Sequence, residues 1–217
     1  MKNLIFIFLL ISLSSCGQTE HSSTQKTSKK VAPTQVPKTR EGNEKAYFSS
    51  GCFWCSESIF QSVIGVKKVV SGYAGGKGKS PNYHNYAAKG HAETIAVTYD
   101  PKVIDFPTLL TVYFGSQNVT QQNGQGPDRG KGYRSIIFYQ NLKEKKEIEA
   151  KIKEVQQHYD APVAAEVKPF HKFWKAEEYH QDFEEQHPDN PYIRNISLPR
   201  LHQFKARYPE LLKKNRD

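Results

Sequence analysis

A break in composition near residue 45 confines any packed core to the residues that follow it. Residues 17–45 consist mostly of Ser, Thr, Gln, Lys and Pro, with almost no apolar side chains. Such a stretch cannot bury enough surface to offset the entropy of ordering it, and it reads as a flexible tether. Beyond it the chain is rich in aromatics: 12 Tyr and 12 Phe in 217 residues. That is ample for one core of ordinary size over residues 46–217. Tertiary structure is therefore sought only there.

Residues 1–15 carry Lys2, an apolar run over 4–11 and then small residues, the pattern of a secretory signal peptide. The apolar run is too short to span a bilayer. Leu13-Ser14-Ser15-Cys16 resembles the bacterial lipoprotein box, in which the Cys is lipidated and becomes the first residue. A plain cleavage site beside an incidental Cys is the alternative. The chain has three Cys, too few for a disulfide scaffold or a four-Cys zinc site. An odd Cys in an exported protein calls for a use, and lipidation of Cys16 supplies one. The expectation is a lipoprotein held to the membrane by its anchor, facing the periplasm or the cell exterior.

The net charge of +9 divides into +1 over residues 1–16, +3 over 17–45 and +5 over the remainder. Lysines alternate with glutamates through 143–154, as on a solvated helix face. No basic cluster with interleaved aromatics is present, so no nucleic-acid partner is expected.

Periodicity orders the folded part. Residues 46–50 read as a strand, then a helix runs to about Val63 with Ile59, Phe60 and Val63 on one side. Gly65 ends it. Strands follow over 66–73 and 94–99, separated by a long Gly- and Asn-rich loop, and loops of that length are usually functional. A helix over 106–114, a second polar loop over 117–132 and a strand over 135–139 come next. A long helix from Asn141 places Ile148, Ile152, Val155 and Tyr159 on one stripe. A strand over 163–167 and a helix over 176–187, ended by Pro188, complete the pattern. This order predicts an α+β fold, a two-layer sandwich related to the split βαβ (ferredoxin-like) plan.

Cys52 and Cys55 sit where the first strand gives way to the first helix. A helix N-terminus favours a thiolate, the reactive form. Cysteines three apart in one turn lie near the separation a disulfide needs. The spacing permits redox chemistry; two small buried apolar residues, or half of a metal site, are the alternatives.

Gly51-Cys52-Phe53-Trp54-Cys55-Ser56-Glu57 resembles the active-site motif of the A-type peptide methionine-S-sulfoxide reductases. Further segments of that pattern follow in order: Gly72-Tyr73-Ala74-Gly75-Gly76, Pro81-Asn82-Tyr83, Gly90-His91-Ala92-Glu93 and Tyr99-Asp100-Pro101. Gln125-Gly126-Pro127-Asp128-Arg129-Gly130, Tyr133-Arg134-Ser135 and Ala176-Glu177-Glu178-Tyr179-His180-Gln181 complete it. The resemblance implies that Cys52 attacks the sulfoxide and becomes a sulfenic acid. Glu93, kept neutral, protonates the departing oxygen. Tyr83 and Tyr133 donate hydrogen bonds to that oxygen, Asp128 supports the site, and Phe53 and Trp54 hold the methyl group. It implies oxidised proteins as substrates, the S epimer as the form consumed, a thioredoxin-like electron donor and no cofactor.

The chain also departs from the family pattern. Cys55 stands where many relatives have Gly, and no Cys follows it, which leaves Cys55 as the one candidate within the chain to resolve the sulfenic acid; an external thiol acting directly on Cys52 is the alternative. Gln117-Asn118-Val119 replaces the usual His-Asp-Pro and leaves the second loop's shape open. His180, Glu184 and His187 would share a face of the expected helix, but they make too thin a ligand set for a metal. A thiol–disulfide oxidoreductase using the same Cys pair is the rival activity. A non-catalytic lipoprotein that binds a metal or a partner is the third reading.

Overall fold

The structure, a computed structural model, describes residues 32–38 and 42–214. Its centre is a sheet of six strands: β1 (Glu44–Ser49), β2 (Val66–Ala74), β3 (Ala92–Tyr99), β6 (Ile136–Tyr139), β7 (Glu166–Pro169) and β8 (Phe173–Lys175), in the order β7-β6-β1-β3-β2-β8. β1 pairs antiparallel with both β3 and β6, and β2 pairs antiparallel with β3 and β8. Only β7 joins in parallel, beside β6. A hairpin of β4 (Gly124–Gln125) and β5 (Asp128–Arg129) stands apart from the sheet. The fold is α+β, as the element order predicts.

The helices are α1 (Phe53–Gln61), α2 (Phe106–Gly115), α3 (Leu142–Gln156), α4 (Phe183–Gln186) and α5 (Leu198–Arg207). α2 and α3 begin on side-chain caps that satisfy free backbone donors. Asp105 accepts from the Thr108 N–H at 2.8 Å, and Asn141 accepts from the Glu144 N–H at 2.9 Å. Ile59 and Phe60 of α1, Leu109 and Leu110 of α2, Ile148 of α3 and Leu201 and Phe204 of α5 join one core with Phe48, Ile95 and Val97 of the sheet.

Neighbouring residues on a strand face opposite ways. Phe48 enters that core, and Tyr47 enters a second, smaller one with Ile136, Phe138 and Phe170. Tyr47 stacks on Phe170 with ring centres 3.8 Å apart. Val36 packs against this second cluster, and the Thr34 N–H donates to the Phe170 carbonyl at 2.6 Å. Part of the stretch that composition assigns to the tether thus lies against the domain. β1 has core on both faces, so Ala46, Tyr47 and Phe48 are buried in succession rather than alternately.

Two expected elements differ. The strand expected over 163–167 begins at Glu166, because the Val163 and Ala164 N–H groups are used elsewhere, by the Gln156 side chain and the Val119 carbonyl. The helix expected over 176–187 does not form. A 3-10 turn at Glu178–His180 is followed by Asp182 at φ 52°, and only Phe183–Gln186 is α-helical. Past it, a π-helical turn at Ile193–Ser197 leads into α5.

Candidate active site

Gly51 sets the geometry of the strand-to-helix junction. Its φ is +77°, and a Cβ there would stand 2.4 Å from the Gln125 Cβ, so only glycine lets the β4–β5 hairpin close onto the turn. Cys52 follows as the N-cap of α1, with its carbonyl accepting the Ser56 N–H at 3.3 Å. Cys52 and Cys55 are both free thiols and both buried.

Their ionisation departs from the simple helix-dipole expectation. Burial pushes Cys52 well above its ordinary value, and the neighbouring Cys55 and Glu93 add to the shift. Cys55 moves down to about 6, because Cys52 donates a hydrogen bond to it and Arg200 stands near. Cys52 must give up a proton before it attacks.

Glu93 lies in β3, opposite Tyr73 of β2, and is 2% exposed. The Phe53 N–H, in the first turn of α1, donates to its Oε2 at 2.9 Å. The Tyr86 hydroxyl meets its Oε1 at 3.0 Å. Burial raises the Glu93 pKa to about 8 against the pull of these two donors. The carboxyl is mostly protonated at neutral pH. This is a neutral acid beside a thiol at a helix start.

The tyrosines divide differently from the motif reading. Tyr86, not singled out from the sequence, is the one bonded to Glu93. Its ring stacks on Tyr73, centres 4.8 Å apart. Tyr83 is 37% exposed and packs against His180 at 4.6 Å. Its backbone N–H donates to Glu177 Oε1 at 3.0 Å, while the Tyr73 hydroxyl donates to Glu177 Oε2 at 2.9 Å. One carboxylate thus ties the 77–91 loop to β2. Tyr133, half-buried at the end of a 3-10 turn, interacts with the Tyr86 hydroxyl and is raised by burial and by Glu93.

Asp128, on β5, accepts from the Tyr192 hydroxyl at 2.6 Å. The same hydroxyl is 3.8 Å from Cys55 Sγ. Tyr192 carries no motif and was not legible as a site residue. Trp54 is half-buried and stacks flat on Phe183 at 3.8 Å; Phe53 is fully inside the core, beside Tyr73 and His180.

His180 is buried under the rings of Phe53, Trp54, Tyr83 and Tyr179. Burial lowers its pKa. Glu184 accepts hydroxyls from Ser58 and Ser197. The expected shared face of His180, Glu184 and His187 does not exist, because Asp182 breaks the helix between them. No group of three or more potential metal ligands occurs among the described residues.

The replaced loop is stitched by amides. The Gln117 Oε1 accepts from Ser135 at 2.9 Å, the Asn118 N–H donates to Gln125 Oε1 at 2.9 Å, and Val119 is buried.

Comparison with known proteins places this site within a family. The model of the family described as peptide methionine sulfoxide reductase matches residues 44–211.

The chain belongs to that family.

Among its relatives, peptide methionine sulfoxide reductase MsrA 2 of Synechocystis is 40% identical over 183 residues, covering 82% of this chain and 86% of the relative. MsrA of Haloquadratum walsbyi is 38% identical over 172 residues, covering 78% of this chain and 99% of the relative. Of solved structures, reduced Mxr1 from Saccharomyces cerevisiae aligns with a TM-score of 0.64 at 28% identity, covering 71% of this chain and 91% of that one. Methionine sulfoxide reductase A of Corynebacterium diphtheriae aligns at 0.61 and 25% identity, covering 72% and 84%. The geometry adds Tyr86, Tyr192 and Glu177 to the residues singled out from the sequence.

Proposed function

We propose that the protein reduces the S epimer of methionine sulfoxide, in proteins and as the free amino acid, through Cys52 and Cys55. The observation that carries this reading is Glu93: a buried carboxyl, neutral at pH 7, fixed by the Phe53 N–H next to Cys52. Reduction of a sulfoxide needs a thiolate for its electrophilic sulfur and a proton for its departing oxygen. The Cys52 thiolate attacks the sulfur, Glu93 delivers its proton to the oxygen, and Tyr86 and Tyr133 line the path. The oxygen passes to Cys52 as a sulfenic acid and methionine leaves. The Cys55 thiolate then attacks the sulfenic sulfur, expelling hydroxide, which is protonated to water as the Cys52–Cys55 disulfide forms. A thioredoxin-like dithiol donor restores both thiols. No cofactor enters the cycle.

The test is a single turnover without reductant. Wild type should release about one methionine per chain and end as the disulfide. Cys55→Ser should release the same methionine and leave a sulfenic acid that dimedone traps. Reduction of protein disulfides with no methionine released would overturn the activity, and equal consumption of the R epimer would overturn the pocket.

Two finer readings accompany this. The strand order β6-β1-β3-β2, all antiparallel, supports relating the sheet's centre to the split βαβ plan. The pattern of residues 1–16, ahead of the described residues, supports a lipidated Cys16, a cleaved signal peptide and a membrane anchor ahead of the reductase domain. Among the described residues no helix is long and apolar enough to cross a membrane. Cys16→Ser should free the protein from the detergent phase; a mature chain without lipid mass would sink the anchor.

A further inference from the structure

The segment that brings Glu93 to the site also brings His91, a histidine only 2% exposed that the chemistry above leaves without a role. It stands where the 75–91 loop, which leaves β2 at Ala74, returns to β3 at Ala92. We propose that His91 is a positioning residue for sulfoxide reduction: its ring closes the neck of this loop and so holds the Tyr86 hydroxyl on the Glu93 carboxyl. The proposal deepens the reading above and rests on it for its kinetic part.

Every polar group of His91 is bonded. The Gly76 N–H donates to Nδ1 at 3.1 Å, and Nε2 lies 2.7 Å from the Gly78 carbonyl. A backbone N–H only donates and a carbonyl only accepts. The two bonds together therefore need a ring with a bare Nδ1 and its proton on Nε2. The His91 N–H donates to the Tyr86 carbonyl at 2.9 Å, and the His91 carbonyl accepts from Arg134 at 3.3 Å. One residue thus grips the outgoing arm of the loop with its ring and the tyrosine turn with its backbone.

The outgoing arm needs such a grip. It holds Gly75, Gly76 and Gly78, and glycine is the residue that loses most freedom on being fixed. At Gly76 the arms meet backbone to backbone, since a Cβ there would stand 2.5 Å from the His91 nitrogen. Without the imidazole the arms keep the longer bond from the Gly78 N–H to the Lys89 carbonyl, 3.3 Å, and the exposed bond from Lys89 Nζ to the Ser80 carbonyl.

The neck bears on the acid because the two partners come from different elements. Tyr86 is carried by the loop and Glu93 by β3, and a 3.0 Å bond joins them. A bond of this kind weakens steeply with distance and angle, so slack at the neck reaches Glu93 through Tyr86.

The experiment pairs His91→Phe, which keeps a ring and removes both ring bonds, with Tyr86→Phe in a double-mutant cycle on the full chain. The readout that needs no substrate is infrared titration of the Glu93 carboxyl, isolated as the difference between each protein and its Glu93→Gln counterpart. The Tyr86 bond draws the Glu93 titration down. His91→Phe should therefore move it up, and should not move it further in a Tyr86→Phe background. Methionine release follows the same cycle: His91→Phe should lower kcat/KM about tenfold in wild type and less than about threefold in Tyr86→Phe. His91→Gln, whose amide can still donate to Gly78, should fall between wild type and His91→Phe, and it carries the cycle if the Phe variant does not fold. An unmoved Glu93 titration, or equal losses in the two backgrounds, overturns the proposal, because a merely structural histidine leaves the titration in place and costs both backgrounds alike. If wild type releases no methionine, the activity proposed above fails, and the infrared titration still decides whether His91 sets the Tyr86–Glu93 bond.

Discussion

Glu93 sets the pH at which sulfoxide reduction runs. Its carboxyl titrates near 8 instead of 4.5. At pH 7 about ten chains in eleven hold the proton, where an ordinary carboxyl would leave it on roughly one in three hundred. Burial therefore raises the population of acid about 300-fold, equivalent to about 3 kcal/mol. Cys52 runs the other way. Its pKa is raised well above 9.0, so its thiolate is scarce and grows about tenfold per pH unit through the neutral range. The productive form needs both, the Cys52 thiolate and the Glu93 acid. Below pH 8 the acid is held and the thiolate grows, so kcat/KM should climb steeply. Above pH 8 each gain in thiolate is offset by loss of acid, and the profile should level off. Glu93→Gln keeps the shape but cannot give a proton. Its kcat/KM should drop by about 10²- to 10⁴-fold. The break near pH 8 should vanish, leaving a rise that continues toward the ionisation of Cys52. The assay is chromatographic measurement of methionine released from a sulfoxide peptide between pH 6 and 9.5. kcat/KM reports the free enzyme, whose groups these are. A flat wild-type profile from pH 6 to 8, or a break near pH 8 that survives in the Gln variant, would refute the reasoning. So would a variant within about threefold of wild type.

Tyr86→Phe removes the hydroxyl on Glu93 Oε1 and should slow sulfoxide reduction by about 10- to 100-fold, one hydrogen bond to an ionisable group. It should also move the break in the pH profile upward, since that bond lowers the Glu93 pKa; Tyr83→Phe should cost less, and the reverse order would return the donor role to Tyr83. Glu57, 1% exposed, is raised to about 8 by burial and by Asp182. The folded chain keeps a proton on it that the unfolded chain releases above 4.5, so its stabilisation is full below that pH and is lost as pH rises through 8. Glu57→Gln should remove a slope of up to about 1.4 kcal/mol per pH unit from urea midpoints between pH 5 and 8. A slope equal to wild type would show that Glu57 does not hold the proton.

The elements legible in the sequence are those whose apolar spacing decides them. α1, α2 and α3 show helical stripes at Ile59–Phe60, Leu109–Leu110 and Ile148–Ile152, and each packs on the sheet where that spacing points. The region of 176–187 has helical spacing but spends its side chains on other backbones. Gln181 Oε1 accepts from the Ser71 N–H at 3.0 Å, and its Nε2 donates to the Ser71 carbonyl at 3.1 Å. Glu177 holds Tyr73 and the Tyr83 N–H. Glu57 Oε2 accepts from the Asp182 N–H at 3.0 Å. Such side-chain-to-backbone bonds compete with the helix ladder, and no periodicity records them. β8 leaves no mark in the sequence for a related reason: three residues pairing with β2 are too few to show a period.

The site divides along the same line. Cys52 and Cys55 are legible because redox chemistry requires a thiol pair beside a helix start, whereas Glu93, on a strand, is legible only through the resemblance to the family pattern. Which tyrosine reaches Glu93 is decided by how the 77–91 loop folds back. Tyr83 and Tyr86 lie three residues apart, and the turn between them sends one ring outward against His180 and the other inward onto Tyr73. That turn is fixed by the Asn82 carbonyl accepting the Tyr86 N–H at 2.9 Å and by the Asn85 side chain accepting the Asn82 N–H at 2.9 Å. Glu177, 94 residues away along the chain, then locks the Tyr83 backbone. The ring that meets the acid is thus set by a local turn, and a carboxylate from a distant segment holds that turn in place. A change at Glu177 should reach the chemistry through Tyr86 while leaving Cys52 and Glu93 in place.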